Sequence, residues 1–297
     1  MTTVTDAGLG SSSVLQLLSG FSLEMTAGDI EQLNAAARLV PAGTEVSITF
    51  LPNDNYADKV AAAVAVKRAG LIPVPHISAR RIASHADLDR FLGAMTEQAD
   101  VDRIFVVAGD LSAPAGPFAD SLSIIESGVI QKHGIRRVGM AGHPQGHPTV
   151  AEAVLTEALS DKHKALAAIG VEAYLVTQFA FDATPVAAWL AEVRSRGIAM
   201  AVRVGVPGPA GVRTLLRFAA RCGVGVSTKM MARYGLSATR LLGTTGPERF
   251  LDDFAARFDP SLHRDVRLHF YPFGGLLATT AWIDAYRQRA LARPSRR

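Results

Sequence analysis

The chain is poor in several things, and each shortage removes a class of protein. Its single cysteine, Cys222, leaves no partner for an internal disulfide, which excludes a cystine-stapled scaffold and fits a reducing compartment. Cys222 lies in "FAARCGVGV", an apolar helix end with no histidine nearby in sequence, and reads as buried packing rather than as a nucleophile. Net charge is also scarce: 31 Lys and Arg stand against 27 Asp and Glu, too small an excess to mark a nucleic-acid partner. The densest basic run, "RQRALARPSRR" at the C-terminus, reads as a solvated helix end and tail. No apolar run reaches bilayer length, and "MTTVTDAGLGSSSVLQLLSG" has no positive region ahead of its short apolar stretch, so no membrane partner is expected and a cytoplasmic location is. Missing too are H-E-x-x-H, C-x-x-C and H-x-H metal signatures and the G-x-S-x-G elbow of a serine hydrolase.

What remains is a chain of 297 residues, 48% of them hydrophobic, enough to bury one large core. Eight short β-branched or apolar runs alternate with amphipathic segments: "GFSLEM" (20–25), "EVSITFL" (45–51), "LIPVPHI" (71–77), "RIFVVAGD" (103–110), "RRVGMAG" (136–142), "EAYLVTQ" (172–178), "IAMAVRVG" (198–205) and "VRLHFY" (266–271). Glycines 70, 134, 170, 197 and 223 stand where the intervening helices should stop. No G-x-G-x-x-G follows the first run, which argues against a doubly wound sheet. The α/β class is therefore read as a (β/α)8 TIM barrel over 20–291, preceded by an arm at 1–19 and followed by a basic tail at 292–297. Extra helices are expected between strands seven and eight, from "VSTKMMARYGLSATRLL" and "PERFLDDFAARF". Self-association stays open.

In such a barrel the ligand site lies at the C-terminal strand ends. The polar residues collected there are Glu24, Thr49, His76, Asp110, His143, Gln178 and Tyr271. A carboxylate at the end of an apolar strand, as with Glu24, loses water and becomes harder to ionise, which suits a general acid; an ordinary ion pair with a loop arginine is the competing reading. Asp110 follows Gly109 and is as well explained by a helix cap or Asx turn as by catalysis. His143 and His147, in "HPQGHP", are four apart, yet the prolines break the helix on which such a pair would share a metal. No metal is expected. The stretch "RVGVPGPAG" reads more readily as a tight turn than as a phosphate-gripping loop.

The same residues, taken in order, resemble the catalytic domain of the methylenetetrahydrofolate reductase family over roughly 20–290. The family's F-E-F-F-P-P is similar to "FSLEM" with Glu24, its V-S-V-T to "VSIT" with Thr49, and its P-H-[LI] to "VPHI" with His76. L-R-G-D-L corresponds to "VAGDL" with Gly109 and Asp110, and Y-P-E-x-H-P to "HPQGHP". I-T-Q-x-F-F-D matches "VTQFAFD" with Thr177, Gln178 and Asp182, and H-F-Y matches 269–271. The resemblance implies an oxidoreductase in which NADH or NADPH reduces FAD and the flavin reduces 5,10-methylenetetrahydrofolate to 5-methyltetrahydrofolate. It implies Glu24 as general acid and Asp110 as a second catalytic group between flavin and pterin. Gln178, with Thr177 and Tyr271, would bind the tetrahydrofolate. Thr49, His76, Gly109, Asp110, His143 and His147 would line the flavin site.

Three departures bear on the flavin. The family arginine two residues before the aspartate is Ala108, a lysine four residues before the helix-ending glycine is Leu166, and the fifth-strand tyrosine is His143. The first two remove cations suited to a flavin's phosphates. Lys164 is the expected replacement, with Lys162, Arg80 and Arg81 as further candidates. The alternatives kept beside the flavoenzyme are direct hydride transfer from NADH to folate and a non-catalytic folate- or flavin-binding barrel.

Overall fold

A computed structural model describes residues 13–51, 54–225 and 244–292. Eight parallel strands close into one barrel: β1 (Ser22–Met25), β2 (Glu45–Ile48), β3 (Ile72–Ser78), β4 (Arg103–Val107), β5 (Arg137–Gly142), β6 (Glu172–Thr177), β7 (Ala201–Pro207) and β10 (Val266–Tyr271). Two further strands, β8 (Ala210–Gly211) and β9 (Thr244–Thr245), form a small antiparallel pair outside the barrel. β1 joins β2 on one side and β10 on the other, so the sheet has no free edge. This is the (β/α)8 arrangement expected from the alternating runs.

The strands are shorter than the apolar runs suggested where a loop captures the chain early. The fourth was expected to reach 110 but ends at Val107, because the Ala108 carbonyl accepts the Arg80 N–H at 2.9 Å and Gly109 turns with φ at +95°. A Cβ at Gly109 would stand 2.3 Å from the Ser78 hydroxyl oxygen, so only glycine passes here.

Alternate side chains fill the barrel. Val74, Phe105, Tyr174 and Val176 form its inner cluster, and the register His76–Phe105–Gly139–Tyr174 crosses β3 to β6 at one level. Gly139 makes room for two rings: a Cβ there would lie 2.6 Å from both Phe105 and Tyr174. The other strand faces pack on the helix ring, where Leu33, Val66, Leu92, Ile130, Leu166 and Leu190 are fully buried.

Between β7 and β10 the described residues include the helices Val212–Arg221, Glu248–Ala255 and Pro260–His263. "PERFLDDFAARF" supplies the second of these; the helix expected from "VSTKMMARYGLSATRLL" lies outside the described residues. No described helix is long and apolar enough to cross a membrane.

Candidate functional site

Period-two alternation decides which strand-end residues meet in the mouth. From β1, β3 and β10 it turns inward Glu24, His76 and His269. Glu24 Oε2 lies 3.8 Å from His76 Nε2 and 3.6 Å from His269 Nε2, and its side chain is 17% exposed. His269 is 1% exposed; its Nδ1 is hydrogen-bonded to the Ser22 hydroxyl at 2.8 Å, while its Nε2 is buried without a hydrogen-bond partner. His76 rests against the Phe105 ring at 4.6 Å.

Burial sets the protonation of this cluster. Loss of water pushes the Glu24 carboxyl up to about 7, with His76 opposing the shift. The same loss pushes His76 down to about 4 and His269 down to about 3. At pH 7 the carboxyl is therefore about half protonated, beside two neutral imidazoles.

One wall of the mouth is aromatic. Tyr271 lies edge-on to His269 at 4.9 Å and near-parallel to Phe273 at 5.9 Å, and Phe273 stacks on Phe218 at 4.2 Å. The Tyr271 hydroxyl donates to the Thr177 carbonyl at 3.0 Å, and burial holds it far above the usual phenol range. Thr177 is itself fully buried: its hydroxyl donates to the Gln178 carbonyl at 2.9 Å and accepts the Gly205 N–H at 2.8 Å. Expected as a folate ligand, its side chain instead stitches β6 to β7. The Gln178 carboxamide oxygen accepts the Phe179 N–H at 3.1 Å, and the residue lines a small cavity of about 90 Å³ with His143, His147 and Cys222. Cys222, expected in packing, is half-buried and borders this cavity, its thiol pushed up chiefly by burial.

"HPQGHP" is a turn beside the mouth. Gly146 N–H donates to the His143 carbonyl at 3.0 Å with φ at +76°, and Thr149 N–H donates to His147 Nδ1 at 3.2 Å. The two rings meet edge to face at 5.3 Å. His147 is exposed, whereas His143 is half-buried and pushed down to about 4 by desolvation, with His147 and Lys162 adding to the shift. Among the described residues no group of three His, Cys, Asp or Glu side chains is placed to hold a metal.

On the β2 side the Thr49 hydroxyl donates to the Met25 carbonyl at 3.2 Å, so it braces the loop after β2 against β1. Beneath it lies Lys59, 0% exposed, which donates to the Thr49 carbonyl, pairs with Asp54 at 3.2 Å and sits over the Phe50 ring at 4.2 Å. Burial pushes its ammonium down to about 8.

Two expected site residues stand elsewhere. Asp110 is 62% exposed and held by Arg81 through Nε to Oδ1 at 2.9 Å and Nη2 to Oδ2 at 3.0 Å, which turns it out of the Glu24 cluster. Lys164 is 74% exposed on the outer face of the Glu152–Ala168 helix and pairs with Asp161 at 3.7 Å. The cause is helical phase: Leu166 takes the core-facing position, and Lys162, one turn before it and two residues before Lys164, is the half-buried lysine within electrostatic reach of His143.

An FAD diphosphate, set where the resemblance would place it, finds few cations in this donor set. Position 108 is alanine, position 166 is core leucine, and Arg81 is taken by Asp110. Arg80 donates to the carbonyls of Ala119 at 2.8 Å and Leu111 at 3.0 Å, strapping down the loop after β4.

The sequence signals His269, Lys59, Phe218 and Phe273 unevenly. His269 had a signal, being two residues before Tyr271 and so on the same strand face. Lys59 had none, since a lysine near a helix start usually faces solvent.

No family model matches this chain. Among solved structures, it is similar to an uncharacterized protein from Clostridium thermocellum that binds two copies of 5-methyl-5,6,7,8-tetrahydrofolic acid, with 10% identity and a TM-score of 0.62 over 94% of this chain and 99% of that one. At that identity the likeness is one of fold. A D-psicose 3-epimerase in the presence of D-fructose aligns over 92% of this chain and 97% of that one, with 13% identity and a TM-score of 0.44.

Proposed function

We propose that the barrel mouth binds a tetrahydrofolate and that Glu24 donates the proton in interconverting 5,10-methylene- and 5-methyltetrahydrofolate, with NADH or NADPH as hydride donor and no resident flavin. The observation that carries this reading is a mostly buried carboxyl, set between two imidazoles and pushed up to about 7 so that it keeps a substantial protonated fraction at neutral pH.

Protonation of folate N10 by Glu24 breaks the bond between N10 and the bridging carbon. The bonding pair leaves with N10, and the N5 lone pair forms the double bond of the N5 iminium. A hydride from C4 of the nicotinamide adds to that carbon, giving the N5-methyl group and oxidised nicotinamide, and the Glu24 carboxylate regains a proton from water. Neutral His76 and His269 add no positive charge that would strip the proton from Glu24 beforehand. The Tyr271–Phe273–Phe218 wall offers ring faces to the pterin or aminobenzoyl group. The ligand bound by the Clostridium thermocellum protein is the product of this reaction, which supports the ligand class.

Direct transfer is preferred to a flavin relay because Ala108, core Leu166 and outward Lys164 remove the cations that the resemblance assigns to the flavin's own diphosphate. A folate-binding barrel without turnover is the second reading, favoured by the outward turn of Asp110. Calorimetric titration of flavin-free protein with 5-methyltetrahydrofolate tests the shared part: saturable binding by wild type and by Glu24→Gln is expected, and its absence from wild type contradicts both readings.

A further inference from the structure

The opposite end of the barrel carries a second concentration of charge. Strand alternation turns Glu45 of β2, Arg103 of β4, Arg137 of β5 and Arg203 of β7 into the floor. Three guanidiniums converge on one buried carboxylate: Arg103 Nη1 at 2.7 Å and Arg137 Nη1 at 2.8 Å on Oε1, and Arg203 Nη2 at 2.6 Å on Oε2. Arg103 has a second acid in Asp102 at 2.8 Å, and Arg137 has one in Glu172 at 3.0 Å. Arg203 has none among the described residues; its other hydrogen bond goes to the Gly20 carbonyl at 3.1 Å. One carboxylate is thus divided among three cations, and Arg203 keeps the largest share of uncompensated charge.

A cavity of about 630 Å³ opens on this cluster. Arg103, Arg203 and their shared partner Glu45 line it, and so does Arg287, an exposed residue of the Leu276–Ala292 helix with no ion pair among the described residues, so the charged lining is three cations to one carboxylate. Leu18, Phe21 and Ile72 form its apolar wall.

We propose that this floor cavity binds a small amphipathic oxyanion, a carboxylate or phosphate ester on an aryl or short alkyl body. Uncompensated buried charge is unfavourable, and an anion in this cavity relieves that of Arg203 while reaching exposed Arg287. The guanidiniums of Arg103 and Arg203 are already ordered by Glu45, so binding does not have to immobilise them. Their planar forks match an oxyanion, and the apolar wall accepts the body that carries it. The cavity lies at the strand starts, whereas Glu24 stands at a strand end, so the two sites take ligands independently.

The test is calorimetric titration of the full chain with phenyl phosphate at low salt, with benzyl alcohol as the neutral control. Expected is one site with Kd below about 1 mM, weakened at least about tenfold by Arg287→Glu, unchanged by Glu24→Gln, and no binding of benzyl alcohol. Arg287 is exposed and remote from the mouth, so its variant should fold and keep the wild-type reductase rate. No binding to wild type, equal affinity in Arg287→Glu, or loss of affinity in Glu24→Gln would each overturn the proposal.

Discussion

In the proposed reaction Glu24 is the proton donor, and its environment predicts effects on both activity and stability. Glu24→Gln keeps the shape of the carboxyl but not its proton, so turnover should fall by roughly 10²–10⁴-fold while folate binding persists. Its titration also enters folding. The carboxyl holds its proton up to about pH 7 in the folded chain, against an ordinary value of 4.5. The folded state therefore binds the proton more tightly, and the stability this contributes is complete below about pH 4.5 and lost as pH rises through 7. A shift of that size corresponds to about 3 kcal/mol before solvent screening. His76 and His269 act with the opposite sign: their depressed values favour the fold above the ordinary imidazole range, and that contribution is lost as pH falls towards 4 and 3. Urea denaturation of wild type and Glu24→Gln between pH 4.5 and 8 isolates the carboxyl: wild type should lose stability relative to the variant as pH rises. A constant difference across that range would mean that Glu24 ionises like a solvated acid.

At the scale of strands, loops and helices, legibility followed the strength of each periodicity. Apolar alternation located all eight barrel strands, and Glu24 and His76 stood at strand ends where the period of two brings them together. Loops obey no such period. Nothing in "VAGDLSAPAGPFAD" indicates that Arg80 and Arg81, just after β3, reach across to strap it, so the pairing of Asp110 with Arg81 rather than with the Glu24 cluster is not legible there. On the Glu152–Ala168 helix a rotation of two residues separates half-buried Lys162 from outward Lys164, and the weakly amphipathic sequence did not fix that phase. Two glycines test the packing these elements impose. Gly139→Ala drives a methyl into the Phe105 and Tyr174 rings and should cost about 1–3 kcal/mol in chemical denaturation. Gly109→Ala combines positive φ with a clash against Ser78 and should destabilise by a similar amount, about 1–3 kcal/mol. Asp110→Ala, which removes an exposed pair, should change stability by less than about 1 kcal/mol.

Across the whole molecule, charge is buried at both ends of the barrel, with different consequences. The mouth keeps a near-neutral cluster able to release one proton; the floor keeps three arginines on one glutamate. Removing that shared partner with Glu45→Gln leaves the guanidiniums uncompensated and should cost about 3–5 kcal/mol, read as a lower urea midpoint. The floor arginines were legible in principle, since each lies on the same strand face as an inward residue further along. The central claim concerns the mouth, and anaerobic NADH oxidation by flavin-stripped protein with 5,10-methylenetetrahydrofolate tests it most directly. The account predicts substrate-dependent oxidation yielding 5-methyltetrahydrofolate without added FAD, largely abolished by Glu24→Gln; oxidation that requires FAD, or that is unchanged in the variant, would contradict it.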